Sequence, residues 1–424
     1  MPKKKSTRDY KELQTIDTVD DAIRQVAQEG ARALLQRALE SEIDSHLRQY
    51  DDLLTNDGKK AVVRNGYGPQ RSILTGIGSV SLRRPRVDER SAVQQNPVHK
   101  RFSSSILPAF LRRTPSIDGA VATLYLKGIS SNDFESALHA IYGEDAGSMS
   151  ASTVARLKNA WDDEYEDWRQ RRLSSTRYAY IWADGVHFNV RNGEGDRSCI
   201  LVIVGAKFNG EKELLAISEG YRESEQSWKE LLLELRDGRG LELDPKLAIG
   251  DGALGFWKAL PQVFPDTVAQ RCWVHKTANV LDKLPKRLQA RAKTLIHDIY
   301  MAETEREANR AFDHFIASYE DKYPKAAHTL SKDREQLMAF YSFPAAHWKH
   351  IRSTNVIESV FATVRLRTYK TKGMGTATAT RTMTFKLIRE AEQRWKRITK
   401  WQQLELVEAG RAFKDGLLVE ESAA

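Results

Sequence analysis

The chain has 424 residues, of which 41% are hydrophobic and 29% are charged, and this length allows two or more domains with a substantial core. The two cysteines, Cys199 and Cys272, exclude a disulfide framework and are typical of a reducing cytoplasm. No apolar stretch approaches the length of a membrane span, and the basic start lacks the apolar segment of a secretory signal. The formal net charge of +9 favours polyanionic partners.

The first predicted element is a long amphipathic helix over residues 18–50. Apolar residues such as Val19, Ile23, Leu39 and Ile43 recur there close to helical spacing. Such a stripe is typical of a helix packed in a core and equally of a helix at a dimer seam. Both interpretations stay open at this point.

The next segment, residues 59–87, is basic and rich in turns. Strand-like residues occupy 77–82, and no acidic residue interrupts the positive charge. The basic residues are Lys59, Lys60, Arg64, Arg71, Arg83, Arg84 and Arg86. We predict a small β element whose basic side chains, the five arginines above all, contact nucleic-acid phosphate rather than form a solvated face.

The remaining elements change in character along the chain. Three short helices are predicted over residues 115–160, which is compatible with a helix-turn-helix but also with any three-helix bundle. From residue 176, successive strands and then alternating helices and strands predict a mixed sheet covered by helices. Residues 283–350 are predicted as an all-α insertion, and the chain beyond residue 378 is again predicted to be helical.

Two aspartates follow apolar runs within the predicted sheet. Asp184 ends the run 178–183 and separates two predicted strands, and Asp251 ends the run 247–250. Taken singly, each Asp-Gly pair is typical of a turn. Taken together, both aspartates follow buried strands, so they would project from the same sheet edge if the strands are neighbours.

A third acid, Glu358, lies in a predicted helix among apolar residues such as Ile357 and Phe361, where a carboxylate needs a partner or a metal ion. Two divalent cations about 3.5–4 Å apart can activate a nucleophile and stabilise the leaving oxygen of an in-line displacement. Hard cations of this kind prefer oxygen ligands. We therefore predict that Asp184, Asp251 and Glu358 form a two-metal site for phosphoryl transfer, and the basic chain indicates a nucleic-acid substrate.

Other residues are predicted to support this site. The pair Cys272 and His275 has zinc-ligand spacing, but no second pair completes four ligands, so we favour a packed cysteine and a hydrogen-bonded histidine near the site. His187 either faces the site or lies on the sheet, and Asn355 begins the segment that carries Glu358. The basic residues that follow Glu358 are Arg365, Arg367, Lys370 and Lys372. They are predicted to neutralise a DNA backbone near the metals, with a solvated helix face as the alternative.

These motifs, in this order, resemble the Mutator-like transposases of bacterial insertion sequences. The resemblance covers about residues 20–400. Its short motifs are Arg64-Asn65-Gly66-Tyr67, Gly78-Ser79-Val80, Arg83-Arg84-Pro85-Arg86, Leu126-Lys127-Gly128-Ile129-Ser130, Asp184-Gly185, Asp251-Gly252, Cys272-x-x-His275 and Asn355-x-x-Glu358-Ser359. Their order and spacing, with a helical stretch between Asp251 and Glu358, make the match specific.

The resemblance implies an α/β fold with an RNase H-like core that a helical insertion interrupts. It implies a DDE triad of Asp184, Asp251 and Glu358 with two Mg²⁺ or Mn²⁺ ions. Water would free a 3′-hydroxyl at the transposon end, and this hydroxyl would attack another phosphodiester, in a pathway thought to copy out a circular intermediate. The expected partners are double-stranded DNA, both terminal inverted repeats and target, and further copies of the chain in a dimer or larger oligomer. The expected location is the bacterial cytoplasm, at the nucleoid.

The resulting domain prediction has seven segments. They are 1–55 (helical, possible dimerisation), 56–113 (basic, β-rich, DNA-binding), 114–173 (helix-turn-helix-like, DNA-binding), 174–282 (first part of the core), 283–350 (all-α insertion), 351–377 (core, Glu-bearing helix) and 378–424 (C-terminal helical region). Two alternative functions stay open: an RNase H-like nuclease or resolvase without strand transfer, and a DNA-binding regulator derived from a transposase.

Overall fold

The computed structural model describes residues 7–96, 98–127, 129, 133–142, 151–189, 197–220, 223–252, 254–370 and 376–420. The chain divides into two compact units, Met1–Val154 and Ala155–Ala424. Among the helices of these described ranges, none combines the length and the apolar character that a membrane span requires.

The first unit combines a long helix with a β-hairpin. Its elements are α1 (Thr7–Gln49), β1 (Val63–Thr75), β2 (Gly78–Asp88), α2 (Arg90–Gln95), α3 (Pro115–Leu126) and α4 (Phe134–Tyr142). The predicted N-terminal helix is confirmed and begins earlier than predicted. Leu39 is buried with Ile73 and Val80 of the hairpin, whereas Val19 and Ile23 are exposed. The second half of the apolar stripe therefore serves a core, and the dimer seam stays a prediction.

The second unit is built on a five-stranded mixed sheet in the order β5-β4-β3-β6-β7. The strands are β3 (Tyr178–Asn189), β4 (Arg197–Lys207), β5 (Lys212–Gly220), β6 (Leu247–Gly250) and β7 (Val268–Arg271). β3, β4 and β5 pair antiparallel, whereas β6 and β7 run parallel to β3. The predicted mixed α/β sheet is confirmed.

Alternate residues of β3 face opposite layers, because successive side chains of a strand point to opposite sides. Ile181 is buried in a cluster with Trp228 and Phe256 from the helices that flank β6. On the other side, the Tyr180 hydroxyl lies 2.8 Å from His347 Nδ1, and Trp182 Nε1 donates to the His350 carbonyl at 3.0 Å. A sheet covered on both faces explains why its strands read as continuous apolar runs.

Helices surround this sheet and fill the interval between β7 and the Glu358 segment. They are α5 (Ala151–Arg169, which contains the boundary between the units), α6 (Glu225–Leu233), α7 (Leu254–Val263), α8 (Trp273–Leu281), α9 (Lys286–Met301), α10 (Glu305–Tyr319), α11 (Pro324–Ser331), α12 (Arg334–Met338), α13 (Trp348–Ile351), α14 (Asn355–Lys370), α15 (Ala377–Glu392) and α16 (Leu404–Glu408). Buried Gln270 on β7 donates to the Leu337 carbonyl and accepts from the Phe340 amide, which ties the helical segment to the sheet edge.

Two predictions about local structure were wrong. The chain does not turn at Asp184, because β3 continues through Gly185 and pairs with β4 along its length, with Asp184 opposite Val202. The C-terminal region is not wholly helical, because β8 (Phe413–Lys414) and β9 (Leu417–Leu418) form a short hairpin. The Asp-Gly turn signal applies in that hairpin, where Asp415 and Gly416 have φ angles of 50° and 75°.

Candidate active site

The sheet register brings Asp184 and Asp251 to the same level. Strands β3 and β6 pair in parallel with Ala183 opposite Gly250, and each aspartate is the next residue along its chain. The strands are thus neighbours, as the prediction required. Alternation along β3 places Asp184 on the same face as Trp182, the face that is covered by the segment leading into α14.

Asp184 is buried, with 4% of its surface exposed. Burial raises the pKa of its carboxyl to about 7, and the negative charges of Asp251 and, to a smaller extent, Glu358 act in the same direction. The carboxylate accepts a hydrogen bond from the Gly185 amide at 2.9 Å. Asp251 and Glu358 therefore lie close enough to affect the Asp184 carboxyl. A buried carboxylate among like charges is costly unless a cation compensates it.

Glu358 enters the site from the first turn of α14. The hydroxyl of buried Thr354 donates to Glu358 Oε1 at 2.9 Å, and His275 Nδ1 lies 3.4 Å from the same oxygen. The carboxylate is thus fixed by a residue just before the helix and by a residue from α8. This contact network accounts for a glutamate in an otherwise apolar helix.

Cys272 and His275 stand next to Glu358. Cys272 is buried at the start of α8, and its sulfur accepts from the Thr354 amide at 3.4 Å and lies 3.5 Å from the Thr354 hydroxyl oxygen. Hydrogen bonding to Cys272 is the largest influence that raises the pKa of His275 to about 9, and the negative charges of Asp184 and Glu358 act in the same direction. The ligand atoms of Cys272, His275 and Glu358 lie within 4.8 Å of one another.

A fourth acid that the sequence reasoning missed, Glu223, lies near Asp251. It precedes α6, and its Oε1 lies 3.3 Å from His187 Nε2. Burial and then the charge of Asp251 raise the pKa of Glu223. A β-carbon on Gly185 would lie 2.2 Å from Glu223 Oε1, so a larger residue there would displace this carboxylate from its position. Glu223 lies in the connection between β5 and α6, where the sequence has neither helical nor strand periodicity. The sequence signal nearest to it was Gly185, a glycine that follows an acid inside an apolar run.

The predicted DNA-contacting residues are distributed over both units. Arg64 pairs with Glu40 at 2.6 Å, and Arg71 donates to the Leu111 and Pro108 carbonyls, so both support the hairpin of the first unit. Arg83, Arg86 and Arg365 are exposed, and Arg84 is half-buried. Arg367 and Lys370 belong to α14, but their side chains, like all of Lys372, lie outside the described residues. Contact of these residues with DNA stays a prediction.

Comparison with known proteins gives a consistent result. The family model described as "Transposase, Mutator family" matches residues 1–398. The chain is 49% identical over 297 residues to the transposase for insertion sequence element IS6120 of Mycolicibacterium smegmatis, which covers 70% of this chain and 91% of that protein. It is 46% identical over 283 residues to the transposase for insertion sequence element IST2 of Acidithiobacillus ferrooxidans, covering 67% and 95%. It is also 27% identical over 308 residues to the transposase for IS256 in transposon Tn4001 of Staphylococcus aureus, covering 72% and 74%.

Proposed function

Because this chain belongs to the Mutator family of transposases, we propose that it cleaves the ends of an insertion sequence and joins them to other DNA. The observation that carries the proposal is the register of β3 and β6, which brings Asp184 and Asp251 to the same level, with Glu358 in the first turn of α14. The net charge of +9 supports a polyanionic substrate. In this proposal the three acids are a DDE triad.

The carboxylates suit two Mg²⁺ or Mn²⁺ ions, because their mutual repulsion is relieved by hard cations that take oxygen ligands. Asp184, Asp251 and Glu358 would hold them. When bound, such ions lower the pKa of a nucleophile and stabilise the leaving oxygen of a displacement. Thr354 orients the Glu358 carboxylate through its hydroxyl. His275 Nδ1, 3.4 Å from the same carboxylate oxygen, provides a second contact that positions Glu358.

The proposed reaction has two displacements at phosphorus. In the first, water attacks a phosphodiester at the transposon end, and the bond to the 3′-oxygen breaks to leave a 3′-hydroxyl. In the second, this hydroxyl attacks another phosphodiester, so that one ester bond replaces another. The buried position of Asp184 supports a site in which few water molecules compete with the hydroxyl.

We also propose that the sheet is an RNase H-like core. Three antiparallel strands followed by two parallel ones, with β3 in the centre, support this assignment, as do the helices between β7 and α14. The same proposal includes the seven-segment domain arrangement and the recognition of inverted repeats by the basic hairpin and the short helices. It also includes assembly as a dimer or larger oligomer and action at the bacterial nucleoid.

The test uses the purified chain, Mg²⁺ and a linear duplex carrying the inverted repeats that flank the gene. We expect cleavage at the repeat ends and joining of the freed 3′-ends. Asp251→Asn should abolish both activities and keep DNA binding. Asp163→Asn, which changes an exposed aspartate, should leave cleavage, joining and DNA binding unchanged. Cleavage without joining would favour the nuclease, and binding without cleavage would favour the regulator. A fully active Asp251→Asn variant would overturn the site.

A further inference from the structure

A cavity of about 270 Å³ lies beside α14 and is lined by basic side chains. Lys212, Lys349, Arg394 and Lys396 contribute to its wall, and no Asp or Glu of the described ranges does so. The indole N–H of Trp395, another lining residue, is buried and has no acceptor within the described part of the chain. The cavity therefore offers positive charge and an unused hydrogen-bond donor.

Lys212 is the residue that most clearly lacks a counter-ion. It is 9% exposed, and its ammonium donates to the Lys396 carbonyl. No described carboxylate lies within ion-pair distance of Lys212 or Lys349. Burial and then the charge of Lys349 lower the pKa of Lys212 to about 8. A buried ammonium beside a second positive charge is costly unless an anion joins it.

The cavity adjoins the carboxylate site along α14. Asn355 and Ser359 line the cavity, and they are neighbours on one helix face because they are four residues apart. Glu358 stands on the adjoining face of the same turn. The cavity wall and the carboxylate site thus share one turn of α14.

We propose that this cavity binds a backbone phosphate of the DNA strand beside the phosphodiester that reacts at the carboxylates. The proposal rests on the proposed function, because DNA supplies the anion. A phosphodiester brings one negative charge and several acceptor oxygens, which match the lysines and the Trp395 N–H. Inorganic phosphate shares this chemistry and is the other possible source of the anion.

The experiment measures the salt dependence of DNA binding for Lys349→Gln and for Lys325→Gln, which removes an exposed lysine of α11. Lys349 is itself exposed, so its replacement should not impair folding. Loss of one phosphate contact lowers the slope of log affinity against log salt by about 1. Between 50 and 200 mM salt, wild type should therefore lose roughly three- to fourfold more affinity than Lys349→Gln.

Equal slopes for Lys349→Gln, Lys325→Gln and wild type would overturn the cavity proposal while cleavage by wild type still supported the proposed function. If the wild-type protein bound no DNA, both the proposed function and the cavity proposal would be overturned. A second arm titrates inorganic phosphate and follows Trp395 fluorescence against a Trp395→Phe blank. Phosphate saturation without any change in the DNA slope would assign the cavity to a free anion and overturn the DNA assignment.

A separate observation concerns Glu223. Its carboxylate occupies the space over Gly185, the residue after Asp184. Burial and then the charge of Asp251 raise the pKa of Glu223. Its oxygen also lies within 4.8 Å of the ligand atoms of His187 and Cys199. The carboxylate thus lies beside the residue that follows Asp184, and the Glu223 backbone lies against Gly255, four residues after Asp251.

We infer that Glu223 is a fourth carboxylate ligand for the divalent cations, a role that rests on the metal site of the proposed function. The readout is Mn²⁺ binding by calorimetry without DNA. Glu223→Gln keeps the shape of the side chain and should weaken binding at least tenfold, since even partners outside the ligand shell are worth about 10- to 100-fold. Glu230→Gln, on the exposed face of α6, should bind like wild type.

His187→Ala separates the ligand role from a purely structural one. If Glu223 served only to hold His187, both variants would weaken Mn²⁺ binding equally, and the inference would be overturned. Unchanged binding by Glu223→Gln would overturn it as well. Failure of wild type to bind Mn²⁺ would remove the metal site itself, whereas DNA cleavage could still be tested with Mg²⁺.

Discussion

Two adjoining sides of α14 meet side chains of opposite charge. On one side Glu358 lies near Asp184 and Asp251, and burial together with the charges of Asp251 and Glu358 raises the pKa of Asp184. On the other side Lys212 stands beside Lys349, and burial together with this neighbour lowers the pKa of Lys212. Each cluster is poorly compensated within the protein. The acidic side requires cations, and the basic side requires an anion.

This opposition indicates a division of labour around one DNA strand. A strand that passes along α14 would bring phosphate to the basic side, and cations held by the acids would meet the neighbouring phosphodiester. Because both sides use the same helix, the distance between chemistry and strand anchoring is fixed by the geometry of α14. Substitutions on the acidic side should therefore change the rate of reaction, and those on the basic side should change strand binding.

The largest effect is expected for Asp184→Asn. An amide keeps the size of the side chain but removes a metal-binding charge, so single-turnover cleavage should fall by more than ~100-fold, beyond the loss seen for outer partners, while DNA affinity stays within about twofold. Lys349→Gln should instead raise the DNA concentration needed for half-maximal cleavage, with a smaller effect on the maximal rate. If both variants changed the same parameter, the two sides of α14 would not have separate roles.

A smaller effect on the cleavage rate is expected for Thr354→Val. This change keeps the shape of a fully buried side chain but removes the hydroxyl that donates to Glu358 Oε1 at 2.9 Å. The maximal cleavage rate should fall about 10- to 100-fold, and Thr354→Ser should restore most of it. Melting temperatures of the two variants provide the control for folding. A valine variant with the wild-type rate would show that Glu358 needs no such support.

The sequence predicted much of this arrangement because the acids follow or interrupt apolar runs. It could not decide whether an Asp-Gly pair turns the chain. At 184–185 the flanking residues pair with β4 and are buried, so the strand continues. At 415–416 the flanking strands are two residues each, and the pair forms a turn. The decision belongs to tertiary pairing, which local propensity does not contain.

The basic side of α14 was not predicted for a related reason. Lys212 begins β5, Lys349 lies in α13 and Lys396 follows α15, so no local pattern links them. The sequence analysis instead predicted positive charge towards the C-terminal end of α14, where Arg365 is exposed. Glu223 escaped detection because its connection has neither helical nor strand periodicity. Sites assembled from distant segments require the register and packing of the whole unit.

The last prediction concerns stability on the basic side. The pKa of Lys212 in the folded protein, about 8, is lower than its ordinary value of 10.5. Between these values the unfolded chain binds more protons at this site, so the contribution of Lys212 to the free energy of unfolding rises as pH increases from 8 to 10.5. Below pH 8 the charged, buried lysine destabilises the fold.

Replacement by an apolar side chain should therefore stabilise the protein at neutral pH. For Lys212→Met we expect the free energy of unfolding to rise by an amount on the order of 2 kcal/mol at pH 7. This amount is the free energy that corresponds to the pKa shift, less the contribution of one lost hydrogen bond. The gain should vanish as pH approaches 10.5. Denaturant unfolding at several pH values measures it, with Lys325→Met as the exposed control. A difference between Lys212→Met and wild type that does not vary with pH would mean that Lys212 is already compensated, and the contrast between the two sides of α14 would lose its basic half.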